Sequence, residues 1–517
     1  MGKNSSNDLF QLIKSLKSVE KVYFKTFVSS KNKSEQLYIR IFDAIDRQTI
    51  YNEKKILKKF HALAIKRSAF FTSKKYLSHL IFKSLESFHS KNSIKSQIIH
   101  LINIADILYE KRIYSTANKK IEKAKQLAYK YEYFLLLIDV LSMERKIIGK
   151  AYEISEQKKM LEKNFKEIEN ALTIYDIETT YANFAMQMNL IFQKTGVSRS
   201  NEEIKQMRDI IENPMFQNEN NATSFHSKYH LHTVLTVYYH NIPDFIMAHR
   251  HSHKLVEIMD KSPHQIQDKP ILYLRAVANL LSTDMPLFLI DEFWVNVKKI
   301  MALPPKSENV KIEKLTSLLY VVPAVYITTG QFKEGHKMLS DFSDEYGKNY
   351  YDVLLNIDKI NFFYAALYLC FGAKQYSDAL KWIRLIFDVP AVDARRDYYT
   401  FTKLFNILVH FEMGNWEVLE SLIMSTHRHL GKVQISFKFE RIVLKYMNKL
   451  FVKHVNVNIP ELFIAFKKEL LTVFKDANER KVLENFDILS WVESKIEGKS
   501  FAEIIKEKAK LKSKLLD

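Results

Sequence analysis

The side chains best suited to chemistry in this chain are histidines that cluster between residues 226 and 253. Seven of the 17 histidines fall within those 28 residues. His226 with His230, and His249 with His253, have the one-turn spacing that places two imidazoles on one face of a helix. Such a pair can hold zinc when a third ligand completes the site. The candidate carboxylates for this third ligand are Asp244 and Glu257.

Stronger signatures of chemistry are missing from the sequence. A specific zinc motif would add cysteines near the histidines or the spacing H-E-x-x-H, and the chain has neither. Its ten glycines form no G-x-G, no phosphate-binding loop and no G-x-S-x-G elbow. We therefore assign no catalytic residue, cofactor or metal ligand. Solvated or hydrogen-bonded histidines are the favoured interpretation, and metal binding by the cluster is left open.

Positive charge concentrates near the N-terminus. Residues 1–150 contain 30 Lys+Arg against 13 Asp+Glu, a net of +17, while the rest of the chain carries a net of +2. No carboxylate occurs from Lys54 to Leu85. Such a stretch attracts polyanions through counterion release and long-range steering. Its basic residues are Lys54, Lys55, Lys58, Lys59, Lys66, Arg67, Lys74, Lys75 and Lys83.

Aromatic residues alternate with these charges, as they would on a stacking surface for single-stranded nucleic acid. The simpler interpretation, which we favour, is that the lysines cover the solvated faces of helices whose aromatics point inward. The sequence leaves both interpretations open. The aromatics concerned are Phe60, Phe70, Phe71 and Tyr76.

The elements that carry these residues are predicted from a repeated glycine. Gly330, Gly372 and Gly414 lie 42 residues apart. Each closes a long, mostly uncharged helical stretch, and an aromatic opens the next amphipathic helix. We predict a repeating unit of helix, tight turn and helix. The opening aromatics are Phe332, Tyr376 and Trp416.

Composition supports an all-α protein. Only ten glycines and ten prolines occur among 517 residues, which suits long helices joined by short turns. Cys370 is the only cysteine, and it lies in an apolar run where a buried, unreactive thiol is expected. This usage fits a reducing, cytoplasmic location. We expect no transmembrane segment, because the longest uncharged stretch, Leu315–Phe332, contains a proline and polar side chains.

The first 90 residues are predicted to form a small basic helical module. In its last helix, Ser73–Phe88, the apolar periodicity places Leu77 and Ile81 on one stripe and Lys75 and Lys83 away from it. The earlier helices are predicted at residues 9–16, 19–28, 35–46 and 53–64.

From Ser93 onward, paired helices resemble the tetratricopeptide repeat, over residues 93–450. The best match covers Leu101–Tyr129, where Ala105 and Ala117 fall at the small-residue positions through which two packed helices approach. The period of about 42 exceeds the 34 of the standard repeat. The resemblance implies a right-handed α-solenoid over 91–450 that binds partners on its inner surface, with no chemistry. Residues 451–517 are predicted to form capping helices.

The inner surface of such a solenoid would be uncharged here. A groove for acidic peptides would need lysines or arginines at these positions, so that use of the family is not supported. Either the surface binds an apolar helix or strand, or it is core, which we favour. The predicted groove residues are Tyr320, Ile327, Phe362, Leu369, Leu404 and Phe411.

These features together predict a non-enzymatic scaffold or adaptor that binds a protein or peptide partner. The alternative is a nucleic-acid-associated regulator, in which residues 1–90 contact phosphates and the repeats sense a partner. Uncharged inner helices favour the scaffold, and the carboxylate-free stretch favours the regulator. The partner's identity and the oligomeric state do not follow from the sequence.

Overall fold

The computed structural model describes residues 5–29, 35–61, 67–89, 93–195, 200–347, 350–390, 395–432, 438–453 and 459–516. Within these ranges the regular structure is helical and contains no strand, which confirms the prediction of an all-α chain. None of the helices in the described ranges combines the length and the apolar character that crossing a bilayer requires.

Residue contacts divide the chain into two compact units, Met1–Thr173 and Ile174–Asp517. The boundary lies inside α9 (Ile154–Thr195), a helix of 42 residues. The other helices of the first unit are α1 (Ser5–Ser15), α2 (Ser18–Ser29), α3 (Glu35–Asp46), α4 (Glu53–His61), α5 (Arg67–His89), α6 (Ile94–Glu110), α7 (Tyr114–Lys130) and α8 (Phe134–Ala151).

The first five helices share a hydrophobic core made of residues between Leu9 and Ile81. Phe24 of α2 stacks on Phe42 of α3 with 4.8 Å between ring centroids. The stripe predicted for α5 is confirmed, because Leu77 and Ile81 are buried. These five helices therefore share one core inside the first unit, which continues beyond them to Thr173.

Helices α6, α7 and α8 pack on one another as consecutive antiparallel neighbours. Ala105 on α6 and Ala117 on α7 are fully buried. Side chains this small let two helix axes approach closely, since each adds only one methyl group to the contact. Both small residues therefore belong to the buried surface of this group of helices.

The second unit begins within α9 and continues through seventeen further helices in its described ranges. They are α10 (Asn201–Ile211), α11 (Phe225–Asn241), α12 (Phe245–Asp260), α13 (Pro263–Asp268), α14 (Pro270–Asp284), α15 (Ile290–Ala302), α16 (Glu308–Thr329), α17 (Phe332–Tyr346), α18 (Asn356–Gly372), α19 (Tyr376–Asp388), α20 (Arg396–Glu412), α21 (Trp416–Lys432), α22 (Lys438–Lys453), α23 (Ile459–Val473), α24 (Ala477–Arg480), α25 (Ile488–Glu497) and α26 (Phe501–Leu516). Short 3₁₀ turns cover Pro214–Phe216, Glu219–Asn221, Tyr350–Val353 and Lys481–Glu484.

From α14 to α22, most helices pack on the next helix, and even-numbered helices also pack on the next even-numbered one. Cys370 lies within α18 and is fully buried, as predicted. Burial raises the pKa of its thiol to about 12. The thiol is therefore protonated at neutral pH and unreactive.

Within the described ranges, six helix-to-helix joints use the same turn. One residue adopts a left-handed conformation, and the next residue donates its backbone N–H to the carbonyl five positions earlier, as in Schellman caps. At Gly330 φ is 70°, and Gln331 N–H donates to the Tyr326 carbonyl at 2.9 Å. The left-handed residues of the six joints are Arg112, Glu132, Phe288, Gly330, Lys374 and Gly414.

The repeated glycine spacing does not equal the spacing of these turns. The left-handed residues at Gly330, Lys374 and Gly414 lie 44 and 40 residues apart. Gly372 is the last residue of α18, two residues before the turn. It is required there for close packing, since a Cβ would lie 2.2 Å from a ring carbon of Phe332.

Replacing Lys374 by glycine should stabilise the second unit. A side chain at φ 61° is strained, and removing the strain should outweigh the extra unfolded-state entropy of glycine, for a gain of about 0.5–1 kcal/mol. Urea unfolding followed by tryptophan fluorescence measures this unit alone, because all four tryptophans lie within it.

Gly414→Ala is the matched control, since it places a side chain at φ 71° with no contact closer than 3.9 Å to the added Cβ. It should destabilise the unit by about 1 kcal/mol. A loss of stability in Lys374→Gly would show that the lysine side chain contributes more than its backbone strain costs.

Candidate functional site

Helix α5 exposes one stripe that combines aromatic rings with positive charge, here called the basic–aromatic face. Helical spacing places its members within a single arc opposite Leu77 and Ile81. The side chain of Phe82 is 57% exposed and that of Tyr76 is 46% exposed. Glu86 is the one carboxylate on the same arc. The face consists of Phe71, Lys75, Tyr76, His79, Phe82 and Lys83.

The predicted basic residues divide between surface and core. Lys74 is buried, and its Nζ lies 2.9 Å from a carboxylate oxygen of Glu53 and 2.8 Å from the Tyr51 hydroxyl. It is therefore unavailable to a ligand. Lys66 and the side chains of Lys59 and Arg67 lie outside the described residues. The exposed members are Lys54, Lys55 and Lys58 on α4, and Lys75 and Lys83 on α5.

Only part of the predicted aromatic set faces solvent. Phe60 and Phe70 are buried in the module core, whereas Phe71 and Tyr76 are exposed. Phe82 was missed as a member of the aromatic set, although its position away from the apolar stripe indicated exposure. Lys74 was likewise detectable as buried, because it lies four residues after Phe70 and three before Leu77 on the same face.

Other carboxylates of the module pair with basic side chains outside this face. Lys21 contacts Asp46 at 2.7 Å, and Lys25 contacts Asp43 at 2.7 Å. Glu20 contacts His89 at 2.8 Å. Because these contacts involve α2, α3 and the end of α5, the lysines of the basic–aromatic face are not the partners of these three acids.

The predicted groove residues are mostly interior. Phe362, Leu369 and Leu404 are buried, and Ile327 and Phe411 are partly buried. Tyr320 is the exposed member, with 41% of its surface accessible. Most of these side chains are buried because another part of the chain, residues 485–505, packs against the helices that carry them.

Residues 485–505 of the same chain, here called the C-terminal segment, cover the surface formed by the predicted groove residues. Phe486 packs against Phe405 of α20 with 4.5 Å between ring centroids. Phe501 at the start of α26 packs against Phe332 at 5.4 Å. On α20, Phe411 contacts Trp491 of α25 at 5.9 Å. Helix α26 also packs on α16.

Two hydrogen bonds also hold this segment in place against α18 and α20. The Tyr364 hydroxyl donates to the Asn485 carbonyl at 3.2 Å, and the Trp491 indole N–H donates to Glu412 at 2.7 Å. A small cavity between α20, α22 and this segment measures about 10 Å³. That volume is about one water molecule, so the surface is filled.

The histidine cluster lies on α11 and α12, which pack as an antiparallel pair. Burial lowers the pKa of His226 to about 3 and that of His230 to about 4. His226 Nε2 contacts the amine of Lys269. His249 and His253 are neighbours, with ring centroids 6.3 Å apart.

The carboxylates expected beside these same-helix pairs have other roles. Asp244 accepts the Met247 backbone N–H at 3.1 Å and caps α12. Glu257 pairs with Lys261 at 2.6 Å. His249 instead lies 3.2 Å from the buried Asp284.

A third grouping, across the two helices, brings one histidine from each together. His232 Nδ1 of α11 lies 3.1 Å from His251 Nδ1 of α12. Glu219, before α11, lies close to both rings: one of its carboxylate oxygens and one nitrogen of each ring fall within 4.8 Å of one another. Sequence spacing could not find this group, since it indicates pairs within one helix only.

Scans against protein-family models, curated proteins and solved structures found no match to this chain. The functional argument therefore rests on the geometry of the basic–aromatic face, of the surface covered by the C-terminal segment, and of the histidine cluster.

Replacing Phe501 by alanine should destabilise the second unit. The ring is 7% exposed and contacts Phe332, Tyr368 and Phe371, and truncating a buried phenylalanine costs about 3 kcal/mol. Urea unfolding followed by tryptophan fluorescence measures the loss.

Leu511→Ala, on the same helix, is the control because its side chain is 63% exposed. It should change the free energy of unfolding by less than about 0.5 kcal/mol. Equal effects of the two variants would mean that the packing of Phe501 contributes little to this unit.

Proposed function

We propose that this protein is a non-enzymatic helical adaptor whose basic–aromatic face binds single-stranded nucleic acid. The observation that carries the proposal is the exposure of Phe71, Tyr76 and Phe82 on the same arc of α5 as Lys75 and Lys83. Exposed lysines of α4, which packs on α5, extend the positive charge.

The chemistry of the ligand follows from this combination. Lysines attract the phosphate backbone and release its counterions, without selecting a sequence. Exposed aromatic rings stack with unpaired bases, which a duplex keeps inside its own stack. The face therefore favours single strands over duplexes, and its affinity depends on salt concentration.

A second candidate function is a scaffold for a protein partner, with helix pairs of the second unit arranged as a right-handed, tetratricopeptide-like solenoid in the cytoplasm. The supporting observation is that α18 and α20 accept an aromatic segment, residues 485–505 of the same chain. A surface that accepts one such helix can accept a partner helix of similar character in exchange.

Binding of a fluorescent 20-nucleotide single strand to the full chain tests the first proposal. Removing two phosphate contacts in Lys75→Gln/Lys83→Gln should weaken binding and reduce the slope of log affinity against log salt by about 1.4. Phe82→Ala should weaken binding by about 1–3 kcal/mol through lost stacking. Fluorescence anisotropy across a salt series measures both effects.

Lys119→Gln/Lys123→Gln is the matched control, because it removes the same charge from exposed positions on α7. It should leave binding nearly unchanged. The proposal fails if the wild-type chain does not bind at physiological salt, or if both double variants weaken binding equally.

A peptide of residues 485–505 tests the second candidate. It should bind to the Phe501→Ala variant, in which the native segment is held less firmly, and not to the wild-type chain. Absence of binding to either would make this segment a permanent part of the core and remove the support for exchange.

A further inference from the structure

His232 and His251 face each other at a distance that suits a shared metal ion. Two nitrogens bound to tetrahedral zinc at 2.0–2.1 Å are separated by about 3.3 Å. The two Nδ1 atoms lie 3.1 Å apart, so little movement is needed to place an ion between them. Both rings are buried, with 4% of each residue exposed, and they are held by two different helices of one packed pair.

Neighbouring rings orient the two imidazoles. The His232 and His251 rings lie 5.3 Å apart between centroids, with 28° between their planes. Tyr239 stacks on His251 at 5.6 Å, which fixes the plane of that ring.

Glu219 supplies the third donor. One of its carboxylate oxygens and one ring nitrogen of each histidine lie within 4.8 Å of one another. The residue is exposed, so its side chain can shorten this distance without disturbing the core. Solvent access on that side leaves room for a water as fourth ligand, as in zinc sites with three protein ligands.

We propose that Glu219, His232 and His251 bind one divalent transition-metal ion of the zinc type. Two imidazoles and a carboxylate suit Zn²⁺ or Co²⁺ better than the oxygen-seeking Mg²⁺ or Ca²⁺. This site lies in the second unit and shares no residue with the basic–aromatic face.

Lys254 competes with the ion for the carboxylate. Its Nζ lies 2.6 and 2.7 Å from the two oxygens of Glu219. A bound cation must displace this ammonium from at least one oxygen, which lowers the affinity of the site. Lys254 is on α12, three residues after His251, and is partly exposed, so it can move into solvent.

The competing interpretation is a structural hydrogen bond between the two histidines, with one ring donating its Nδ1–H to the other. That arrangement satisfies both nitrogens without an ion. It predicts no preference of the folded chain for zinc at these residues, so the two interpretations differ in a direct binding measurement.

The experiment uses the full, untagged chain after treatment with a chelator. Zn²⁺ is titrated against a chromogenic competitor, and Co²⁺ is added separately because its visible spectrum reports tetrahedral coordination. We expect one ion per chain at this site. His232→Gln and His251→Gln should each weaken binding at least tenfold, and Glu219→Gln should weaken it several-fold.

Two further variants separate coordination from loss of structure. His253→Gln changes an exposed histidine two residues from His251 and should leave zinc affinity unchanged. Lys254→Met removes the competing ammonium and should tighten zinc binding by about three- to tenfold, since one nearby positive charge is lost. A gain in affinity cannot result from unfolding.

The proposal is overturned if the wild-type chain binds zinc no more tightly than the His232→Gln variant. It is also overturned if Lys254→Met leaves the affinity unchanged while Glu219→Gln has no effect. Circular dichroism of each variant shows whether it is folded. If the two buried histidine variants unfold, the surface variants Glu219→Gln and Lys254→Met decide the question.

Discussion

Reversal of the chain through a single left-handed residue is the constraint on which six of the described helix pairs depend. At six joints the same hydrogen bond closes the end of one helix and directs the next helix back along it. Glycine adopts this conformation without strain, yet it occupies only two of the six positions, Gly330 and Gly414. The other joints place a side chain where the backbone disfavours it. Packing of the two helices must therefore hold those turns in place.

The interior of the second unit depends on aromatic contacts between segments far apart in sequence. Tyr364 bonds to Asn485 across 121 residues, and the rings of Phe332, Phe405 and Phe486 lie in one continuous cluster with Phe501. Because residues 485–505 fill this surface, α16, α18 and α20 present no open groove where the segment covers them. Candidate binding chemistry accordingly lies at the module surface and between α11 and α12.

Local features of the fold were predictable from the sequence, whereas long-range features were not. Helix α3 has the predicted bounds, Glu35–Asp46, because apolar periodicity and helix-forming residues act within a few turns. The helix starts at Phe332, Tyr376 and Trp416 were also predicted. The turn lies at Lys374 and not at Gly372, where the glycine spacing predicts it. The sequence alone does not distinguish a glycine needed for a turn from one needed for close packing.

Among the candidate sites, periodicity indicates the exposed lysines of α5 and the buried position of Lys74, whereas the ion pair of Lys74 with Glu53 joins two different helices and could not be predicted from it. The pairing of His232 with His251 depends on how α11 and α12 face each other, which residue spacing does not determine. Phe82 lay on the predicted solvent side of α5 but was not counted among its aromatics.

Because residues 485–505 pack against α16–α20, the protein can complete this part of its structure only late in synthesis. Tyr364 leaves the ribosome 121 residues before its partner Asn485, a delay of about 6–24 s at typical translation rates. Throughout that interval the aromatic surfaces of α18 and α20 lack their covering segment. Nascent chains at this stage are candidates for chaperone binding, and a chain terminated before residue 485 would keep the same surface uncovered.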